Sequence, residues 1–458
     1  MPTEMSRVEE HSVFYGFLKR YVDFCFRAYF RTTIQGFDTM NKEGSLIFAP
    51  NHQNALMDAL ALLSVSKWQP VFLARADIFK KSTIRKILTL FKIMPVYRMR
   101  DGYENLTNND ATFLKTIDVL KNRNGLVILP EGNHGDQKRL RPLKKGIVRI
   151  AFQAEDAADG QLDIRIVPVG IDYTHYVRVG SQLHIRFGIP IRVSPLLSEY
   201  RENPARAYRI LLELIEGGMK HEMIHIADEK FHSCIKVAIE SFAPWYLRKI
   251  KAPLNHPGLM DVQQKLAIKI EELRVDSPDD YLVRMAMFME YERELKLLGA
   301  QSSTFPAAQS GRLMASLQLL MLVALLPIFM YALANNMLPL IISLATSKKF
   351  ADVQFHSSIR FVMGILLFPI FHILQSIAVG VVIGNWYIAI AYLATLPLSV
   401  IFYFEWRRHF FSVLIKLKEL VAMVTKPDLL KRALSLHEKL VLKMDELYEK
   451  DKSPQRRG

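Results

Sequence analysis

Two stretches of this chain contain no Asp, Glu, Lys or Arg: residues 313–347, between Arg312 and Lys348, and residues 361–404, between Arg360 and Glu405. A helix needs roughly 20 consecutive apolar residues to cross a bilayer, and in hydrocarbon only helices and closed barrels satisfy their own backbone. The second stretch is long enough for two helices with a turn at Gly384-Asn385. The first reads as one helix, Leu313–Leu333, followed after Asn335-Asn336 by a shorter return, Met337–Thr346. Basic residues (Arg312, Lys348-Lys349, Arg360, Arg407-Arg408) flank every end, which the positive-inside rule puts on the cytoplasmic face. The expectation is a multi-pass or re-entrant membrane protein with its catalytic domain on the cytoplasmic face.

Composition narrows what the polar part does. The 458 residues carry 60 Lys+Arg against 45 Asp+Glu, a formal net charge of +15, with mean hydropathy +0.10. Apolar residues make up 50%, which excludes a disordered chain. Two cysteines, Cys25 and Cys234, exclude a disulfide scaffold. A basic excess in so apolar a chain implies an anionic partner, either lipid headgroups or a phosphate-bearing substrate. Nucleic acid is not expected as a partner, because no recognition module for it appears in the sequence.

Residues 1–40 begin with a polar run, Met1–His11, unlike a secretory signal. Phe14, Phe17, Leu18, Tyr21, Val22, Cys25 and Tyr29 then recur at helical spacing, with Lys19, Arg20, Asp23, Arg27 and Arg31 largely opposite. This predicts a basic amphipathic helix, lying in the headgroup region or against the catalytic domain. Residues 41–200 alternate strand-like runs (Ser45–Ala49, Val71–Ala74, Ile93–Tyr97, Leu126–Leu129, Ile164–Val169, Leu183–Phe187) with helical patterns such as Ile84–Phe91 and Ala111–Arg123. Such alternation predicts an α/β domain with its chemistry at strand ends. Residues 201–311 read as a helical subdomain closing in a linker, Ala300–Gly311. The membrane region is 312–405, as hairpins 313–346 and 361–404, and 406–458 is a charged cytoplasmic tail with a helix pattern, ending in a loose Asp451–Gly458.

The chemistry is concentrated in Ala49-Pro-Asn-His-Gln-Asn-Ala-Leu-Met-Asp58, where a strand ends, a turn presents His52, and a carboxylate opens the next helix. A neutral imidazole can take the proton of an alcohol, and a neighbouring carboxylate fixes its tautomer and stabilises the imidazolium. Further blocks follow in order: Ile93-Met-Pro-Val-Tyr-Arg98, then Pro130-Glu-Gly132 with Pro142-Leu-Lys-Lys-Gly146, then Val167-Pro-Val169. Together with Asn51-His52 and Asp58 they resemble the glycerophospholipid acyltransferase (PlsC-like) family over residues 45–190. Any one block is weak, but four in order are specific.

That resemblance implies a mixed sheet flanked by helices, followed here by the helical subdomain and membrane helices. It implies His52 and Asp58 as the catalytic pair, and Asn51, Arg98, Glu131, Gly132, Lys144 and Lys145 as substrate-binding residues, with amides near Glu131-Gly132 meeting the oxyanion or the acceptor. The implied reaction is direct transfer of a fatty acyl group from an acyl-CoA or acyl carrier protein thioester to a glycerol phosphate hydroxyl. No metal, cofactor or covalent intermediate is implied.

Two departures stand out. Five residues separate His52 from Asp58 where the family usually has four, and the extra one turns a helical Asp by about 100°. An adjusted loop or an irregular first turn must absorb it. The longer spacing resembles the branch of glycerol-3-phosphate and dihydroxyacetone-phosphate acyltransferases, favouring the first acylation over a lysophosphatidate acceptor. In addition, the third block reads Asn133-His134-Gly135 where the family continues Thr-Arg-Ser. Candidates to replace that Arg at the phosphate are Lys138, Arg139, Arg141, Lys144, Lys145 and Arg149, with Arg98 on the same edge.

Two other classes compete. His221-Glu-Met-Ile-His225 has the spacing of a zinc hydrolase if it lies on one helix, and a basic surface alone would serve a non-enzymatic membrane tether.

Overall fold

The computed structural model describes residues 8, 10–38, 44–79, 81–96, 106–135, 137–306 and 312–450. Arg98, the end of the linker and Asp451–Gly458 therefore lie outside the described residues. The chain divides into two compact units: Met1–Asp136 with Leu140–Met223 and Phe350–Phe361, and Gln137–Arg139 with Ile224–Lys349 and Val362–Gly458.

In the first unit, strands Phe30–Gln35 (β1), Ser45–Pro50 (β2), Val71–Arg75 (β3), Ile93–Val96 (β4), Leu126–Val127 (β5), Ile164–Tyr173 (β6), Ser181–Phe187 (β7) and Ile191–Arg192 (β8) form one mixed sheet. Its order is β1-β7-β6-β2-β5-β3-β4, with β8 paired to β6. β2 is buried at every position, as a strand covered on both faces must be. It runs parallel to β6, with Ile47 opposite Ile166, and parallel to β5, with Phe48 opposite Val127. β7 reverses the sense against β6. The carboxyl ends of β2, β3, β5 and β6 thus share one edge, where open α/β sheets present their ligand sites.

Helices Val13–Tyr29 (α1), Leu56–Val65 (α2), Ser82–Leu90 (α3), Leu106–Lys121 (α4), Gly146–Ala157 (α5), Leu197–Glu202 (α6) and Pro204–Glu222 (α7) belong with this sheet. Val148 and Phe152 of α5 and Leu211, Ile215 and Met219 of α7 share a buried core with Ile47, Val71 and Ile166. At Gly170 a Cβ would sit 1.9 Å from the Glu222 carbonyl oxygen, so the end of α7 approaches β6 as only glycine permits.

α7 stops there. Met223 is extended, at φ −129° and ψ 161°, so His221 and His225 do not share a helix face. Glu222 instead pairs with Arg186 at 3.4 Å and meets His221 Nδ1 at 2.9 Å. The zinc-hydrolase reading fails on this geometry.

The second unit is helical: His232–Lys249 (α8), His256–Asp276 (α9), Pro278–Leu298 (α10), Arg312–Ala324 (α11), Leu326–Lys348 (α12), Gln354–Ile383 (α13, from Val362), Trp386–Thr425 (α14) and Pro427–Glu449 (α15). Phe242, Leu266, Phe288, Tyr291, Leu440 and Met444 form a core in which α15 takes full part. Much of the predicted tail is therefore a core helix. Its buried Leu430, Ala433, His437, Leu440, Met444 and Leu447 recur at helical spacing among the charges.

The first charge-free stretch breaks at Leu325 rather than at Asn335-Asn336. α12 runs on through both asparagines because neighbouring groups take up their amides. Asn336 Nδ2 donates to Ala332 O and Ser399 Oγ, each at 2.8 Å, and its Oδ1 lies 2.9 Å from His372 Nε2. Asn335 Nδ2 donates to Tyr331 O at 2.8 Å. In the second stretch Gly384, at φ +72°, makes the turn, and Asn385 caps α14 by accepting from Tyr387 N.

α12, α13 and α14 are each long and apolar enough to cross a membrane. Val382, Tyr387, Ile390 and Leu398 on them are exposed, while Asn336, His372 and Ser399 are buried. Polar groups inside and apolar groups outside is the arrangement that hydrocarbon favours. Asn336→Leu should cost about 1–2 kcal/mol of stability in detergent, read as a lower melting midpoint. An unchanged midpoint would show that this network contributes nothing.

Candidate active site

β2 ends at Pro50, and the next four residues build the floor of the site. Asn51 is buried, with Oδ1 accepting from Ile171 N at 2.6 Å and Nδ2 donating to Ile171 O at 3.0 Å. Both ends of its amide are spent on β6, so it anchors the turn from behind. His52 follows with its backbone N–H donating to Glu131 Oε1 at 2.7 Å and its carbonyl accepting from Gly135 N at 3.2 Å.

The His52 ring is held by Asp58: Nδ1 lies 2.9 Å from Oδ2. With the proton on Nδ1, the tautomer that this carboxylate selects, the lone pair is left on Nε2. Asp58 is completely buried. Its Oδ2 also accepts from Gln53 N at 2.8 Å and Asn54 N at 2.7 Å, and its Oδ1 accepts from Tyr173 Oη at 2.9 Å. Burial beside that carboxylate pushes the Tyr173 phenol well above its ordinary range, so Tyr173 remains a donor.

The extra residue between His52 and Asp58 is absorbed at Ala55. This residue caps α2 at φ 44° and ψ −124°, a conformation that costs a non-glycine residue about 1–3 kcal/mol. The spacing alone requires an irregular turn without placing it. Sequence reasoning also misses Tyr173, because the strand expected to end at Val169 continues to Tyr173. Those four added residues supply both the partner of Asn51 and the phenol on Asp58.

The third block faces the same turn. Glu131 is buried and joins two segments, since Oε1 accepts from His52 N and Oε2 accepts from Arg141 N at 3.1 Å. Burial pushes its carboxyl up to about 7, against the pull of those two amides. Gly132 adopts φ +68°, and its N–H turns back to Leu129 O at 3.2 Å, so that amide is taken up by the turn itself. A Cβ on Gly135 would fall 1.9 Å from Arg141 Nη2, whose guanidinium donates to His134 O. The His134 ring stands edge-to-face with His52, centroids 5.5 Å apart. Burial and the nearby His52 lower its basicity.

The basic candidates separate. Lys144 and Lys145 are exposed; Lys144 N donates to Pro130 O at 2.8 Å, and Lys145 caps α5. Lys138 and Arg139 belong to the other unit, where Lys138 is buried and Arg139 pairs with Glu229. Arg75, which the sequence reading does not single out, ends β3 with its guanidinium paired to Asp77 and its Nη1 3.4 Å from Asn133 Oδ1. Its position at a strand's carboxyl end was the available signal.

Glu131 binds its proton more tightly in the folded chain than its ordinary value of 4.5 would allow. Its contribution to stability is therefore full below that value and is lost as pH rises through about 7. The melting midpoint of wild type relative to Glu131→Gln should fall across this window. Parallel profiles for the two chains would remove the assignment.

Part of the chain is similar to known acyltransferases. An acyltransferase family model matches residues 31–172. Glycerol-3-phosphate O-acyltransferase 2 of Saccharomyces cerevisiae is 26% identical over 198 residues, 43% of this chain and 26% of that protein. Glycerol-3-phosphate O-acyltransferase 1 of the same yeast is 23% identical over 177 residues, 38% of this chain and 23% of that protein. The chain thus matches about a quarter of the length of these curated relatives. A crystal structure of the 1-acyl-sn-glycerophosphate (LPA) acyltransferase PlsC from Thermotoga maritima aligns at 17% identity and TM-score 0.31, over 44% of this chain and 78% of that one. The acyltransferase match thus covers residues 31–172, the stretch that carries the ordered blocks and the His52–Asp58 pair at the sheet's carboxyl edge.

Proposed function

We propose that this chain is a membrane-bound glycerol-3-phosphate O-acyltransferase, drawing its fatty acyl group from a CoA or acyl carrier protein thioester. The observation that carries the reading is the His52–Asp58 pair, with Nδ1 2.9 Å from a fully buried carboxylate. His52 Nε2 takes the proton of the acceptor hydroxyl as that oxygen attacks the thioester carbonyl. The tetrahedral oxyanion collapses with loss of the thiolate, and the His52 imidazolium returns its proton to the leaving sulfur. Asp58 stabilises the imidazolium throughout. Neither cysteine is needed. Cys234 is buried away in the helical unit, and burial raises the Cys25 thiol above its ordinary value, which disfavours a thiolate nucleophile.

The acceptor phosphate needs cations near the open side of this pair. Arg75, Lys144 and Lys145 are exposed in the same unit and take that role in this reading, with Arg98 completing the set by resemblance. The names of the yeast relatives and the longer His–Asp spacing both favour glycerol-3-phosphate over lysophosphatidate. The three apolar helices, flanked by basic residues, keep the enzyme where its product partitions, with its domain on the cytoplasmic face.

His52→Ala should lower transfer by roughly 10²–10⁴-fold with membrane recovery unchanged, and Asp58→Asn should lower it severely too. Retained transfer in the His52 variant would remove this reading. Purified protein given a labelled acyl thioester should favour glycerol-3-phosphate over lysophosphatidate; the opposite preference would reassign the acceptor.

A further inference from the structure

The mechanism leaves one part of the sheet unit without a role. Phe350–Phe361 is distant in sequence from every block of the site, yet it belongs to the same compact unit as the sheet. Ser357 Oγ donates to Asn54 Oδ1, and both residues are fully buried. Asp352 Oδ2 lies 3.5 Å from His134 Nε2, and the Phe355 ring meets His134 edge-to-face at 4.7 Å. At the far end Phe361 packs on Phe26 and Tyr29 of α1, at 6.0 and 5.6 Å between centroids.

Each polar contact ends one step from the catalytic pair. Asn54 holds Asp58 through its backbone N–H at 2.7 Å, and its side-chain Nδ2 donates to Tyr176 O at 3.1 Å. Its Oδ1 is what Ser357 secures, and without that hydroxyl a buried acceptor loses its donor. His134 is flanked by His52 on one side and Phe355 on another, while the next residue, Gly135, bonds the His52 carbonyl.

We propose that Phe350–Phe361 is a strap that positions the catalytic pair and bounds the approach to His52, with Ser357 and Asp352 acting as positioning residues through Asn54 and His134. The strap touches neither the thioester nor the acceptor oxygen; it sets the geometry in which His52 meets them. Buried Ser357 is the firm anchor. The Asp352 carboxylate is exposed, 63% of its side chain, so this contact orients His134 more than it stabilises the fold. What the strap does for turnover rests on the acyl-transfer reading, whereas its contact with His134 exists without substrate.

Two measurements on the full chain in phospholipid vesicles test the proposal. The first is histidine modification by diethyl pyrocarbonate without substrate, read residue by residue by mass spectrometry. Asp352→Ala should speed labelling of His134 severalfold, and Asp352→Glu should restore protection. Identical His134 labelling in wild type and Asp352→Ala would overturn the strap, and this holds even if the chain proves inactive on glycerol phosphate. The second is turnover. Ser357→Ala should lower kcat by about tenfold with KM for acceptor little changed, and Ser357→Thr should recover most of it. Wild-type kcat in Ser357→Ala would overturn the positioning role, as would equal losses in both variants that track a lower melting temperature.

Discussion

A carboxylate with no exposure is tolerated only where donors meet its lone pairs, and the site depends on how Asp58 satisfies that condition. Four donors converge on it: His52 Nδ1, the amides of Gln53 and Asn54, and the Tyr173 phenol. They come from the turn after β2 and from the last residue of β6, and the carboxylate itself sits in the first turn of α2. Because β2 and β6 are paired in register from Ser45–Ile164 to Pro50–Val169, the turn and the phenol are delivered to one place by the sheet. Charge-assisted hydrogen bonds of this kind are worth about 1.5–3 kcal/mol each, enough to hold Ala55 in its unfavourable conformation.

The third block answers to the same turn from the other side. Glu131 binds His52 N with one oxygen and Arg141 N with the other, tying the histidine's backbone to the loop that leads into α5. Its elevated protonation range follows from placing a carboxylate where water does not reach it and where only backbone amides answer it. The same loop brings His134 beside His52 and carries the exposed Lys144 and Lys145. The basic excess of the whole chain is thus divided: part of it lies at this loop, and part flanks the apolar helices.

Much of this was legible in the residues because it is local. The strand endings, the His–Asp pair and the glycines of the third block each have short-range signals. The readings that changed did so where distant partners decide. Asn335-Asn336 looks like a turn, yet amide partners across α12, α13 and α14 keep the helix continuous. Residues 427–449 read as a charged helix in a tail, yet their buried stripe completes the core around Phe242 and Phe288. His221 and His225 have a zinc-site spacing that counts only on one helix, and the close approach at Gly170 coincides with the helix's end. Ser357 on Asn54 spans 303 residues, and no periodicity or motif announces such a pair.

If His52 acts on the acceptor and no side chain carries the acyl group, thioester cleavage must wait for the acceptor. The direct measurement is rapid mixing of purified protein with an acyl-CoA while free thiol is monitored, first without and then with glycerol-3-phosphate. The account predicts no burst of thiol until acceptor is added, then release matched to the acylated product. A burst equal to the enzyme present, in the absence of any acceptor, would contradict it.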